Sequence, residues 1–167
     1  MIDVRDLCFH YQGSKHQVFS HFALQLNPGR VYGLLGKNGT GKSTLLYLIS
    51  GLLRPDSGTV TVNGMESRLR LPEMLQEVFI VPEEYAMPDM SFEAFADMMR
   101  AFYPHFSDDL LAKCLADFEM PARPNLKELS MGQKKKVYMS FAIATGTRLL
   151  MMDEPTNGLD IPSKALF

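Results

Sequence analysis

Val31-Tyr32-Gly33-Leu34-Leu35-Gly36-Lys37-Asn38-Gly39-Thr40-Gly41-Lys42-Ser43-Thr44 decides the fold. The first five residues are a short apolar run of the kind that forms a buried strand. A glycine-rich loop follows, and Lys42 to Leu53 then reads as a helix with Leu45, Leu46, Leu48 and Ile49 apolar and Gly51 near its end. Strand, glycine loop and helix in that order form a phosphate cradle. Gly36, Gly39 and Gly41 let the backbone curl so that successive N–H groups point inward at phosphate oxygens. The helix start adds the positive end of its dipole. Lys42 supplies a point charge for the β and γ phosphates, Ser43 a hydroxyl for magnesium, and Thr44 a hydrogen bond to the α phosphate; Asn38 and Thr40 complete the loop.

Far along the chain, Leu149-Leu150-Met151-Met152-Asp153-Glu154 is an apolar run that ends in two acids. A carboxylate at the end of a buried strand is costly without a cation, and magnesium is the natural partner for Asp153. Glu154, pointing to the other side of the chain, is placed to polarise an attacking water. No Asn-Lys-x-Asp motif is present, which disfavours a GTPase.

The bulk properties exclude several classes. The chain has 167 residues, enough for one domain with a real core. Its formal net charge of −2 gives no global argument for nucleic acid. Cys8 and Cys114 are too few for a disulfide framework and have no metal spacing, so a reduced cytosolic protein is the simplest expectation. The N-terminus does not read as a signal peptide, and no apolar run approaches the roughly 18 residues of a membrane span.

Outward from the loop, strands are expected at Ile2 to Phe9, Phe22 to Leu26, Thr59 to Val62, Glu77 to Val81 and Arg148 to Asp153. Ser91 and Ser107 open helices that run to about residues 103 and 119, and a third follows Ser130 to near Gly146. The pattern is α/β: a sheet domain interrupted by a mostly helical insertion over about residues 84–129. Met98, Met99, Met139, Met151 and Met152 read as core filler, whereas Met87 and Met90 sit in a proline-containing loop and could form a docking surface. Phe92, Phe95, Phe102, Tyr103 and Phe106 read mostly as core. Lys134-Lys135-Lys136 reads as a solvated helix face, and nucleic acid is not an expected partner.

The motifs together resemble the nucleotide-binding domain of ABC transporter ATPases. Leu129-Ser130-Met131-Gly132-Gln133 resembles the LSGGQ signature, Asn157-Gly158-Leu159-Asp160 the D-loop, and Phe9-His10-Tyr11 the family's start. Gly51 to Gly58 also matches the stretch after the first helix. The resemblance implies a P-loop NTPase core with an antiparallel β subdomain and a helical insertion, one domain over 1–167. It implies ATP and Mg2+ as cofactors, with Tyr11 stacked on adenine. It implies head-to-tail pairing with a second nucleotide-binding domain, in which Ser130, Gly132 and Gln133 act on the partner's ATP. Transmembrane permease subunits would then be driven from the inner face of the membrane, with Tyr85 to Asp89 the expected contact. The stretch from Phe102 to Gln133 looks like exporters of the antibiotic and peptide-resistance type. A soluble ATPase acting on ribosomes or DNA usually carries two fused units or long coiled-coil insertions, and neither is in this sequence. A nucleotide-binding module without turnover remains a second alternative.

Three positions depart from the family pattern. Met131 replaces the first signature glycine. Glu83 or Glu84 stands where the Q-loop glutamine is expected; Glu83 can still accept from a magnesium-bound water, but it adds negative charge. The switch histidine has no counterpart, because His10, His16, His21 and His105 all precede Asp153. The strand that follows the D-loop helix in the family is also missing, so the expectation is a chain incomplete at its C-terminus, with a gap in its core sheet. Such a chain should be weakly stable as a monomer; a cooperative thermal melt of the 167-residue monomer would contradict that.

Overall fold

The structure, a computed structural model, describes residues 1–164; residues 165–167 of the expected domain lie outside the described residues. The chain forms two compact units, Met1–Leu75 and a second from Gln76 onward.

The first unit is an antiparallel sheet with one main helix. Strands β1 (Ile2–His10), β2 (Gln17–Leu26), β3 (Ser57–Val62) and β4 (Met65–Glu66) lie in the order β2-β1-β3-β4. Val4 pairs with Leu24 on one side and Val60 on the other. The loose alternation of β1 has a local cause. The register shifts between Val4 and Leu7, where Asp6 adopts φ +50°. That bulge carries the buried set from Ile2 and Val4 to Leu7 and Phe9. Helix α1 (Lys42–Ile49) packs on β3 through a face whose Leu45, Leu48 and Ile49 are buried. It is shorter than the expected helix to Leu53. Gly51, at φ +75°, turns the chain left-handed, and the N–H groups of Gly51 and Leu52 donate back to Leu48 O and Tyr47 O at 3.2 and 2.9 Å. This is a Schellman termination. A short α2 (Pro72–Leu75) buries Met74.

Residues 31–35 are not the strand that the sequence suggests. They pair with no strand among the described residues, and Val31 and Leu35 are 102% and 97% exposed. An apolar strand is held by neighbours on both edges and by packing on its faces; a lone one has neither. Val31 and Leu35 therefore hold their apolar side chains in solvent.

The second unit builds around helix α5 (Met131–Ala144). Parallel strands β5 (Val78–Val81) and β6 (Leu149–Met152) pair in register from Val78–Leu149 to Val81–Met152. The insertion is helical as expected: α3 (Phe92–Arg100) and α4 (Asp108–Asp117) are capped by Ser91 and Ser107, whose hydroxyls accept from Ala94 N and Leu110 N. Phe79, Phe92, Phe95, Leu115, Val137 and Phe141 share one core, on which Met87 and Met90 also pack. Both methionines are half-buried there. Met98 and Phe102, expected as core, are 47% and 60% exposed. The chain closes its described part with α6 (Ile161–Lys164).

Phe141 is fully buried, with ring contacts to Phe79, Phe95 and Phe106. Phe141→Ala should lower the unfolding free energy by about 3–5 kcal/mol in urea denaturation; a loss below about 1 kcal/mol would show that this cluster is not the core of the unit.

Candidate functional site

In the first unit the glycine loop is closed by its own side chains. Lys42 Nζ donates to Gly36 O at 2.9 Å and to Lys37 O at 3.2 Å. Thr40 Oγ1 donates to Lys37 O at 2.9 Å. Asn38 and Gly39 stand exposed at the tip. Gly41 caps α1 at φ +95°, and a Cβ there would meet Val18 Cγ1 at 2.7 Å and Phe19 Cζ at 3.0 Å. Only glycine fits both the backbone angle and the space. No acidic residue lies in the first turn of α1, so its dipole is left for an anion. A curled loop, an uncancelled helix start and an ammonium drawn into the curl suit a polyphosphate.

Ser43 is half-buried, and Thr44 is 6% exposed. Thr44 Oγ1 lies 2.9 Å from the Tyr11 hydroxyl. Tyr11 keeps 43% of its surface exposed and sits edge-on to Phe9. The structure therefore joins the two residues that the sequence reading assigned separately to base and α phosphate. The sequence held no signal for this bond, which spans the chain between β1 and α1.

In the second unit Asp153 extends the β5–β6 ladder by one bond, its N–H donating to Val81 O at 2.8 Å, and it is 4% exposed. Glu154 follows in a left-handed conformation, φ +44°, and is half-buried. A carboxylate so far withdrawn from water at the end of an apolar strand fits a magnesium site. No cluster of three or more His, Cys, Asp or Glu groups able to hold a metal exists among the described residues. Glu83 is exposed, and its carboxylate accepts from Asn157 Nδ2 at 3.1 Å.

The signature forms the start of α5. Ser130 Oγ accepts from Gln133 N at 3.3 Å, and Gln133 Oε1 accepts from Ser130 N at 3.0 Å, a complete capping box. Met131 is 69% exposed and points away from the body of the unit. A Cβ on Gly132 would meet Gly158 O at 2.7 Å, so the second signature glycine admits the D-loop backbone.

The lysine run is not a solvated face. Helical residues advance by about 100°, so three in a row cannot share one side. Lys135 is 5% exposed, and its Nζ donates to Glu154 O at 2.7 Å and Asn157 O at 3.0 Å. Burial lowers its pKa, opposed by the charges of Glu83, Glu154 and Asp153. Lys136 pairs with Asp160 at 2.7 Å, and that bond, with the Ser163 N–H, holds the Asp160 carboxyl well below the usual range. Tyr138 stacks on Tyr85 at 4.6 Å, and burial raises both phenols.

Removing the cap by Ser130→Ala should cost about 1 kcal/mol of stability in the second unit, read as a lower urea midpoint. An unchanged midpoint would show that the capping box carries no folding energy.

The profile of the ABC transporter family matches residues 19–157. The chain is similar to "ABC transporter ATP-binding protein YtrB" of Bacillus subtilis (strain 168), 32% identical over 161 residues, which cover 96% of this chain and 54% of that protein. It is similar to "Nod factor export ATP-binding protein I" of Cupriavidus metallidurans, 33% identical over 160 residues, covering 90% of this chain and 52% of that one. The chain thus spans about half the length of these curated relatives. A solved structure titled "Structure of ATP binding subunit of ABC transporter" superposes with a TM-score of 0.87 at 25% identity, covering 98% of this chain and 70% of that one. With the glycine loop, the capped signature and the acid-terminated strand in family order, the chain belongs to the ABC transporter family, and its fold is that of the P-loop ATPase cassette.

Proposed function

We propose that this chain is the ATP-binding part of an ABC transporter and couples ATP binding and hydrolysis to export through separate membrane subunits. One observation carries the reading: Lys42 is drawn into a glycine loop that caps a helix free of acids in its first turn. Tyr11 receives the base. The N–H groups of Gly36, Asn38, Gly39, Thr40 and Gly41, with Thr44, hold phosphate oxygens. Lys42 exchanges its carbonyl partners at Gly36 and Lys37 for the β and γ phosphates. Ser43, Asp153 and Glu83 would hold magnesium, which neutralises phosphate charge when bound. Glu154 takes the proton of the attacking water.

Ser130, Gly132 and Gln133 would act on the nucleotide of a second nucleotide-binding domain, a copy of this chain or a paralogue. For Ser130 and Gln133, that requires their mutual bonds to yield or to share. No described helix is long and apolar enough to cross a membrane. As in the family it belongs to, the chain would work from the cytoplasmic face, bound to transmembrane permease subunits. Export rests on the likeness of the stretch from Phe102 to Gln133 to exporters of the resistance type. The two compact units would act as one nucleotide-binding domain.

Steady-state turnover tests the reading. The chain should hydrolyse MgATP, and Glu154→Gln should lower kcat by about a hundredfold or more while nucleotide binding persists. Undiminished turnover in Glu154→Gln would remove that residue from the chemistry. Binding without turnover in the unaltered chain would favour a nucleotide-binding module instead.

A further inference from the structure

Glu154 and the turn after it are held from outside. The φ of +44° at Glu154 is a conformation that costs a non-glycine residue about 1 kcal/mol or more. The turn itself supplies one bond, from Asn157 N to Glu154 O at 3.1 Å. The other two come from a single buried ammonium: Lys135 Nζ reaches Glu154 O and Asn157 O, the first and last carbonyls of the turn. Bonds from a charged donor are roughly twice as strong as neutral ones. Asn157 is held a second time through its side chain, which donates to Glu83.

The charges agree with the bonds. Glu83, Asp153 and Glu154 put three carboxylates within electrostatic reach of Lys135. Lys136 is engaged by Asp160. A glutamate where the family pattern expects glutamine adds one negative charge to this corner, and Lys135 places a positive charge against it.

We propose that Lys135 is a positioning residue, which pins the Glu154–Asn157 turn to helix α5. Helix α5 begins with the signature, so the same rigid element carries Ser130 and the pin that orients Glu154. Any displacement of the signature end is then transmitted to the turn that presents Glu154. The kinetic consequence rests on the hydrolytic reading above, whereas the pin itself is independent of it.

The test uses the full chain with Lys135→Gln and Lys135→Arg. Amide hydrogen exchange, read by mass spectrometry on peptides covering 153–158, reports the pin without any need for turnover. Lys135→Gln should speed exchange there by about tenfold, the loss of bonds from a charged donor, and leave α3 and α4 unchanged. In steady-state MgATP hydrolysis the same variant should lower kcat by about tenfold with KM held within about twofold.

Unchanged exchange at 153–158 in Lys135→Gln overturns the pin, whatever the kinetics. If the unaltered chain does not hydrolyse ATP, the hydrolytic reading falls, while exchange still decides the pin. Should Lys135→Gln not fold, Lys135→Arg, which keeps the charge and several donors, must give a folded chain with slow exchange at 153–158. An arginine variant that unfolds, or that exchanges fast there, overturns the proposal.

Discussion

The burial of helix α5 is the constraint on which the second unit depends. Val137, Met139, Phe141, Ala142 and Ala144 are all within 1% of complete burial. A helix enclosed on most sides has little freedom to rotate or slide without opening voids in a close-packed core. Its position fixes three other things. Ser130 and Gln133 cap its start, Lys135 reaches the turn after β6, and Lys136 ties Asp160. The core of this unit is therefore also the frame for the residues proposed to act on the nucleotide. Tyr138, on the same helix, stacks on Tyr85 and so holds the loop after β5, which carries Glu83.

The first unit meets a different demand. Its loop must expose N–H groups to an anion without leaving a flexible coil. The carbonyls of Gly36 and Lys37 are occupied by Lys42 and Thr40, which folds the loop on itself. The Tyr11–Thr44 bond anchors the end of β1 to the first turn of α1. The apolar run before the loop is the unmet part of this unit, since Val31 and Leu35 stand in water. Free strand edges and exposed apolar side chains invite pairing with another strand.

Much of this was legible in the sequence. The glycine spacing gave the loop, serines at 91, 107 and 130 marked helix starts, and short apolar runs gave β5 and β6. Those signals are local, and local physics decides them. Residues 31–35 misled because a strand is a property of its neighbours, not of its own residues alone. Met98 and Phe102 misled because apolar residues are not all interior; α3 turns Met98 outward, and Phe102 stands exposed in the turn that follows the helix. Lys135 was open to a reading by angle along α5, but its partners at 154 and 157 come from the fold. The Tyr11–Thr44 and Tyr85–Tyr138 contacts join distant segments and left no trace in composition or spacing.

The central claim is that the glycine loop with Lys42 binds a nucleoside triphosphate. Isothermal titration calorimetry of MgATP into the chain, beside Lys42→Ala, tests it most directly. The account predicts saturable binding to the unaltered chain and a loss of at least about tenfold in affinity for the variant, as expected for one charge-assisted contact. Equal affinity in the two proteins, or no binding to either, would contradict it.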